Sequence, residues 1–272
     1  MKRSCITVSS AILAAMALVL SSVVSAAFQT REEALAALQH YSRLIEAAPD
    51  QAVFYTKRGD AYYALNDLYG AMENYTTAIK LDDRQDAAYF GRGMALGRLG
   101  LVDEGIADLD VYIQRHPRSS VAYTKRGVRN IWRNRLADAE RDLMRAIELD
   151  PDNAEAHDDL GVVHARQQRL DQAARHFSAA IRLDPGYQKA YHNLAISLYM
   201  RGQPAEALEV VDAGLRLDPE NRNSLLLKST VLEALGRWDE AKRIAEHAEF
   251  LPESNWSEMS EIGIETKQGE QK

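Results

Sequence analysis

Small residues recur along this chain every 34 positions, and that period constrains the fold more than any other feature. Stepping from Gly59 meets Gly93, Gly127, Gly161, Ala195 and Ser229, all of them small. Twelve residues behind them stand Ala71, Gly105, Ala139, Ala173, Ala207 and Ala241. A third column, Ala78, Tyr112, Ala146, Ala180, Gly214 and Ala248, departs from smallness only at Tyr112. Prolines close the inner units at Pro117, Pro151, Pro185 and Pro219. Six units run from Ala52 to Asn255 without an insertion. A single unit of this size cannot bury its own apolar face, so neighbours must stack into one continuous core.

Each unit has the pattern of two helices joined by a short turn. In the fourth, residues 154–168 suit a first helix and Leu170 to Leu183 a second, with Pro185 and Gly186 breaking the chain after it. Asn153 and Asn221 are placed to cap first helices. Small residues at fixed spacing let antiparallel helices approach, and bulky ones fill the space beside them. Tyr55, Gly59, Tyr62, Ala71, Tyr75 and Ala78 in the first unit, and Tyr191, Ala195, Leu198, Ala207 and Pro219 later, closely resemble the tetratricopeptide repeat. The resemblance covers 204 of 272 residues in six in-phase copies. It implies an all-α fold, a right-handed α-solenoid of six tandem helix-turn-helix repeats over residues 52–255. An extra capping helix is expected within residues 27–51, and a polar tail over 256–272.

The amino end has a different character. Lys2 and Arg3 precede an uncharged stretch whose apolar heart runs from Ala11 to Leu20, the length of a signal-peptide core. Small residues at Val24-Ser25-Ala26-Ala27 suit cleavage after Ala26, making residues 1–26 a signal peptide. The alternative is an uncleaved anchor, because Ile6 to Val24 is nearly long enough to span a bilayer. Either way the repeats are expected outside the cytoplasm, periplasmic or secreted. The single cysteine, Cys5, would leave with a cleaved signal, and with it any disulfide or thiolate metal site. The formal charge of −7, with basic residues spread among acids, argues against a nucleic-acid partner.

Where the family usually has leucine before the small residue, this chain has Arg58, Arg92 and Arg126. Sixteen positions on stand Asn74, Asp108 and Asp142, whereas Leu160 and Leu194 are followed by His176 and Val210. A half-buried arginine needs a partner, so structural ion pairs are expected for Arg92–Asp108 and Arg126–Asp142. The alternative for these arginines is an anion-binding row.

No P-loop, His-Glu-x-x-His or nucleophile elbow is present, so no catalytic residue, cofactor or metal is expected. His157 and His164 lie seven residues apart on one helix face, about 10 Å, too far for both to hold one metal directly. Asp158 and His192 occupy one column in adjacent units and are the sole candidate acid–base pair.

In the family, first helices line a concave groove that takes a protein or peptide. By analogy the groove here is lined by Tyr63, Phe90, Met94, Arg98, Ile131, Trp132, Asp158, Arg166, His192, Tyr199 and Met200. Phe90, Met94, Ile131 and Trp132 would form an apolar, adaptable patch, unless they pack between first helices. The Lys and Asn pattern that grips a peptide-tail carboxylate in some relatives is missing, since its columns read Thr56 and Asp60, then Gly91, then Val121 and Lys125. The expectation is a non-enzymatic scaffold or adaptor, with a self-assembling structural protein, a ligand carrier or an enzyme as alternatives.

Overall fold

In the computed structural model, residues 28 and 30–252 are described, and they form thirteen α-helices with no strand among them. The expected signal segment with Cys5, and the polar tail at 256–272, lie outside the described residues. The helices are α1 (Arg31–Ala47), α2 (Ala52–Ala64), α3 (Leu68–Leu81), α4 (Asp86–Arg98), α5 (Val102–Arg115), α6 (Ser120–Trp132) and α7 (Leu136–Leu149). They continue as α8 (Ala154–Arg166), α9 (Leu170–Leu183), α10 (Gln188–Met200), α11 (Pro204–Leu217), α12 (Arg222–Ala234) and α13 (Trp238–Glu249). Helix α1 precedes six hairpins, α2/α3 through α12/α13. No described helix is long and apolar enough to cross a membrane.

Local chemistry sets the helix ends. Thr30, Asp67, Ser119, Asn153 and Asn221 each accept a hydrogen bond from a backbone N–H in the first turn that follows. Inside every hairpin the chain turns on one left-handed residue at the same repeat position. These are Asn66, Gly100, Asn134, Gln168, Gly202 and Gly236, with φ of 63°, 83°, 56°, 61°, 75° and 76°. Glycine adopts that angle freely and asparagine tolerates it, so only Gln168 is out of character.

In three first helices the small column receives a large side chain from sixteen positions on. A Cβ on Gly161 would lie 2.5 Å from the Phe177 ring, and one on Gly59 or Gly127 would lie 2.7 Å from Tyr75 or 2.8 Å from Leu143. Glycine is therefore what allows α8 and α9 to close on a fully buried phenylalanine.

The chain divides into two compact units after Ala95. In the first, α1 packs on α2 and α2 on α3, around Ala71, Tyr75, Ala78, Ala88 and Ala95. In the second, α6/α7, α8/α9, α10/α11 and α12/α13 pair as hairpins, and each second helix also packs on the first helix that follows it. The first helices α6, α8, α10 and α12 adjoin one another in turn. One apolar core runs through these four hairpins from Ile131 to Ala248. Burial in it is shared between repeats, as the 34-residue period requires.

Candidate partner-binding site

Side-by-side packing of first helices decides which of their side chains a partner can touch. Phe90, Met94, Ile131, Asp158 and His192, expected to line a groove, are instead buried, between 0% and 8% exposed. For Asp158 and His192 the cause is direct: α8, α10 and α12 adjoin, so each first helix covers the one before it. At the corresponding position of α12, after which no first helix follows among the described residues, Leu226 is 39% exposed. Tyr63, Arg98, Trp132 and Tyr199 are half-buried, and Arg166 and Met200 are exposed.

Four of these survivors, Arg98, Trp132, Arg166 and Met200, are the last residues of α4, α6, α8 and α10. They recur at the 34-residue interval and all belong to the second unit. Arg129 lies with its guanidinium 4.6 Å from the centre of the Trp132 ring, fixing the indole by a cation–π contact. Arg166 donates from Nη1 to the Ile131 carbonyl at 3.1 Å, so a cation sits at the negative end of α6. Below this row the turns are tied by ion pairs: Arg133 and Arg135 to Asp103 (both 2.9 Å), Arg169 to Glu140 (2.6 Å) and Arg201 to Asp171 (2.9 Å).

The candidate acid–base pair is divided between two other contacts. Asp158 lies 3.0 Å from Lys189 Nζ and accepts from Asn193 Nδ2 at 2.9 Å. Asp159 is 3.5 Å from the same ammonium. Lys189 and both carboxylates are buried in the seam between α8 and α10. Burial pulls the Lys189 pKa down, but the two carboxylates more than reverse this and raise it. His192 meets the Ser224 hydroxyl through Nδ1 at 3.3 Å. Burial, reinforced by the charge of Lys189, lowers its pKa from the ordinary 6.5 to about 4. This is a desolvated inter-repeat seam.

The arginine column is architectural in the same sense, and its partners lie on both sides. Arg126 donates to both oxygens of Asp142 (2.9 and 2.6 Å) and, sixteen residues back, to Asp110 (2.6 Å). Arg58 donates to Asn74 (2.7 Å) and back to Ser42 (3.4 Å), and Arg92 donates back to Thr76 (3.3 Å). Lys228, at the same repeat position, pairs back with Asp212 at 2.7 Å. Each cation thus joins its own hairpin to the preceding second helix. The guanidinium of Arg126 spends its donors within the protein, unlike an anion-binding row. Arg92 and Asp108 fall in different units, and their pairing stays an expectation.

Three features escaped the sequence reading. The backward partners Ser42, Thr76 and Asp110 form a polar column that shows only once the column sixteen residues on is set beside it. Lys189, which family analogy places on the exposed groove wall, is instead buried, and so is Arg129, the one charged residue in the column Ala61, Ala95, Arg129, Val163, Ser197, Val231. A lone charge in an apolar column is the signal that finds it.

Known proteins show the same architecture. Models described as tetratricopeptide repeat match residues 164–223, 133–187 and 87–119, and one described as TPR repeat matches 59–100. No curated relative matches the chain. Among solved structures, the APC/C hetero-tetramer Cut9-Hcn1 aligns with a TM-score of 0.66 at 17% identity, covering 79% of this chain and 46% of that one. This chain therefore spans less than half of that relative's length. PilW, a widely conserved type IV pilus biogenesis factor, aligns with a TM-score of 0.66 at 20% identity, over 71% of this chain and 90% of its own. YrrB, a TPR protein with an unusual peptide-binding site, aligns with a TM-score of 0.54 at 23% identity, over 69% and 97%. The period, the hairpins and the four matched segments agree, and the chain belongs to the tetratricopeptide-repeat family.

Proposed function

We propose that this chain is an exported, non-catalytic adaptor that holds a protein or peptide partner against the free face of its first helices. Tetratricopeptide-repeat proteins are generally protein-interaction scaffolds. The observation that carries the proposal is the row Arg98, Trp132, Arg166 and Met200, left open where the neighbouring columns are closed. An indole held under a guanidinium and flanked by two further arginines suits an acidic segment carrying an apolar anchor. A peptide-binding relative and a pilus-biogenesis relative are consistent with such work, at identities that carry the fold alone. Export rests on Lys2, Arg3 and the apolar run ending before Ala26.

Capture of partners from the native envelope tests the site. Trp132→Ala should weaken capture by at least about 2 kcal/mol, the scale of an aromatic anchor, and undiminished capture would remove this row as the site. Export has its own readout. The intact mass of the chain from its native compartment should correspond to a start at Ala27, whereas a mass retaining residues 1–26 in the cytoplasm would refute it.

A further inference from the structure

The histidine that follows Leu160 by sixteen residues has two imidazole neighbours. His176 on α9 lies between His157 and His164, which share one face of α8, with ring centroids 5.4 and 5.2 Å from its own. The Nδ1 atoms of His157 and His176 face each other at 3.2 Å. The Pro151 backbone near the His157 ring favours its protonated form, against the larger effect of burial. With Nδ1 of each ring turned toward the other, both rings offer a lone pair to one ion when each carries its proton on Nε2.

We propose that His157 and His176 form a two-histidine seat for a divalent d-block cation of the Zn2+ class, with water completing its shell. Two imidazole nitrogens at about 2.0–2.1 Å from one tetrahedral ion lie about 3.3 Å apart, with ring centroids about 5 Å apart, so the 3.2 and 5.4 Å at which these rings now hydrogen-bond need change little to admit an ion. Both rings are half-buried, within reach of solvent. Buried His164, whose Nδ1 has no hydrogen-bond partner among the described residues, adds a further imidazole beside the seat. No third ligand converges with the pair among the described residues, so the site is a two-ligand one. Arg175 and Arg182 oppose a cation here, which holds the affinity below that of a closed structural zinc site.

Calorimetric titration of Zn2+ into the full chain, without a polyhistidine tag and near neutral pH, tests the proposal. The wild-type chain should show one saturable site, reversed by a chelator. His157→Gln and His176→Gln should each weaken it by more than the roughly 10–100-fold that loss of an outer-shell partner costs, while His40→Gln leaves it unchanged. Imidazole nitrogen resonances of the wild-type chain provide an arm that needs no variant: Zn2+ should shift those of His157 and His176 most. Absence of saturable binding, retention of it in His176→Gln, or shifts confined to other histidines would overturn the assignment.

Discussion

A single dihedral angle governs the residue inside every hairpin turn. Three glycines and two asparagines occupy that left-handed position, and Gln168 occupies it with φ of 61°. A side chain with a Cβ costs about 1–2 kcal/mol there, of which the extra unfolded-state freedom of glycine takes back about 0.5–1 kcal/mol. Gln168 is exposed, so its removal forfeits little packing. Gln168→Gly should therefore stabilise the protein by about 0.5–1 kcal/mol, measured as a higher urea midpoint with an unchanged slope. An unchanged or lower midpoint would mean that the glutamine makes contacts that outweigh its backbone strain. The column was present in the sequence as Gly and Asn at 34-residue spacing, and Gln168 is the residue that hides it, because nothing in its chemistry announces a left-handed turn.

Between elements, the seam of α8 and α10 outweighs the ion pairs at the turns. Arg169–Glu140 and Arg201–Asp171 are partly exposed, and pairs of that kind contribute about 0–1 kcal/mol. Lys189 with Asp158 and Asp159 is buried, and removing one member leaves charge without compensation. Lys189→Met should destabilise the protein by about 3–5 kcal/mol, read from chemical unfolding, and a loss under about 1 kcal/mol would show the carboxylates to be hydrated. Asp158 and His192 were legible as one column in adjacent repeats, but their partners were not. Which of two neighbouring first-helix positions meets a given side chain depends on how far one helix is offset along the next, and the period is silent on that offset.

Over the whole molecule, histidines link stability to pH. His176 and His192 both have pKa values lowered from 6.5 to about 4, burial being the first cause in each. The unfolded chain therefore binds protons across that window which the native state excludes, so stability falls as pH falls from about 6.5 towards 4. For fully buried His192 the contribution approaches roughly 3 kcal/mol when complete. Asp60, whose pKa burial raises despite Lys57, works in the opposite direction at the acid end. Melting temperature should decline through the window, and His192→Gln should flatten the decline. A profile level from neutrality to pH 4 would contradict the burial of these rings. The repeat length, the helical hairpins, the small columns and the need of Arg126 for a carboxylate were all settled by the sequence, because a fixed period writes short-range packing directly into residue type. Which first-helix residues a partner can reach, which histidines meet, and where Lys189 finds its counter-charges were decided only in the tertiary structure. The contacts of Lys189 join residues about a repeat apart and those of His157 and His176 cross one hairpin, and both depend on the fit of whole helices, which is set by all the side chains of the interface together.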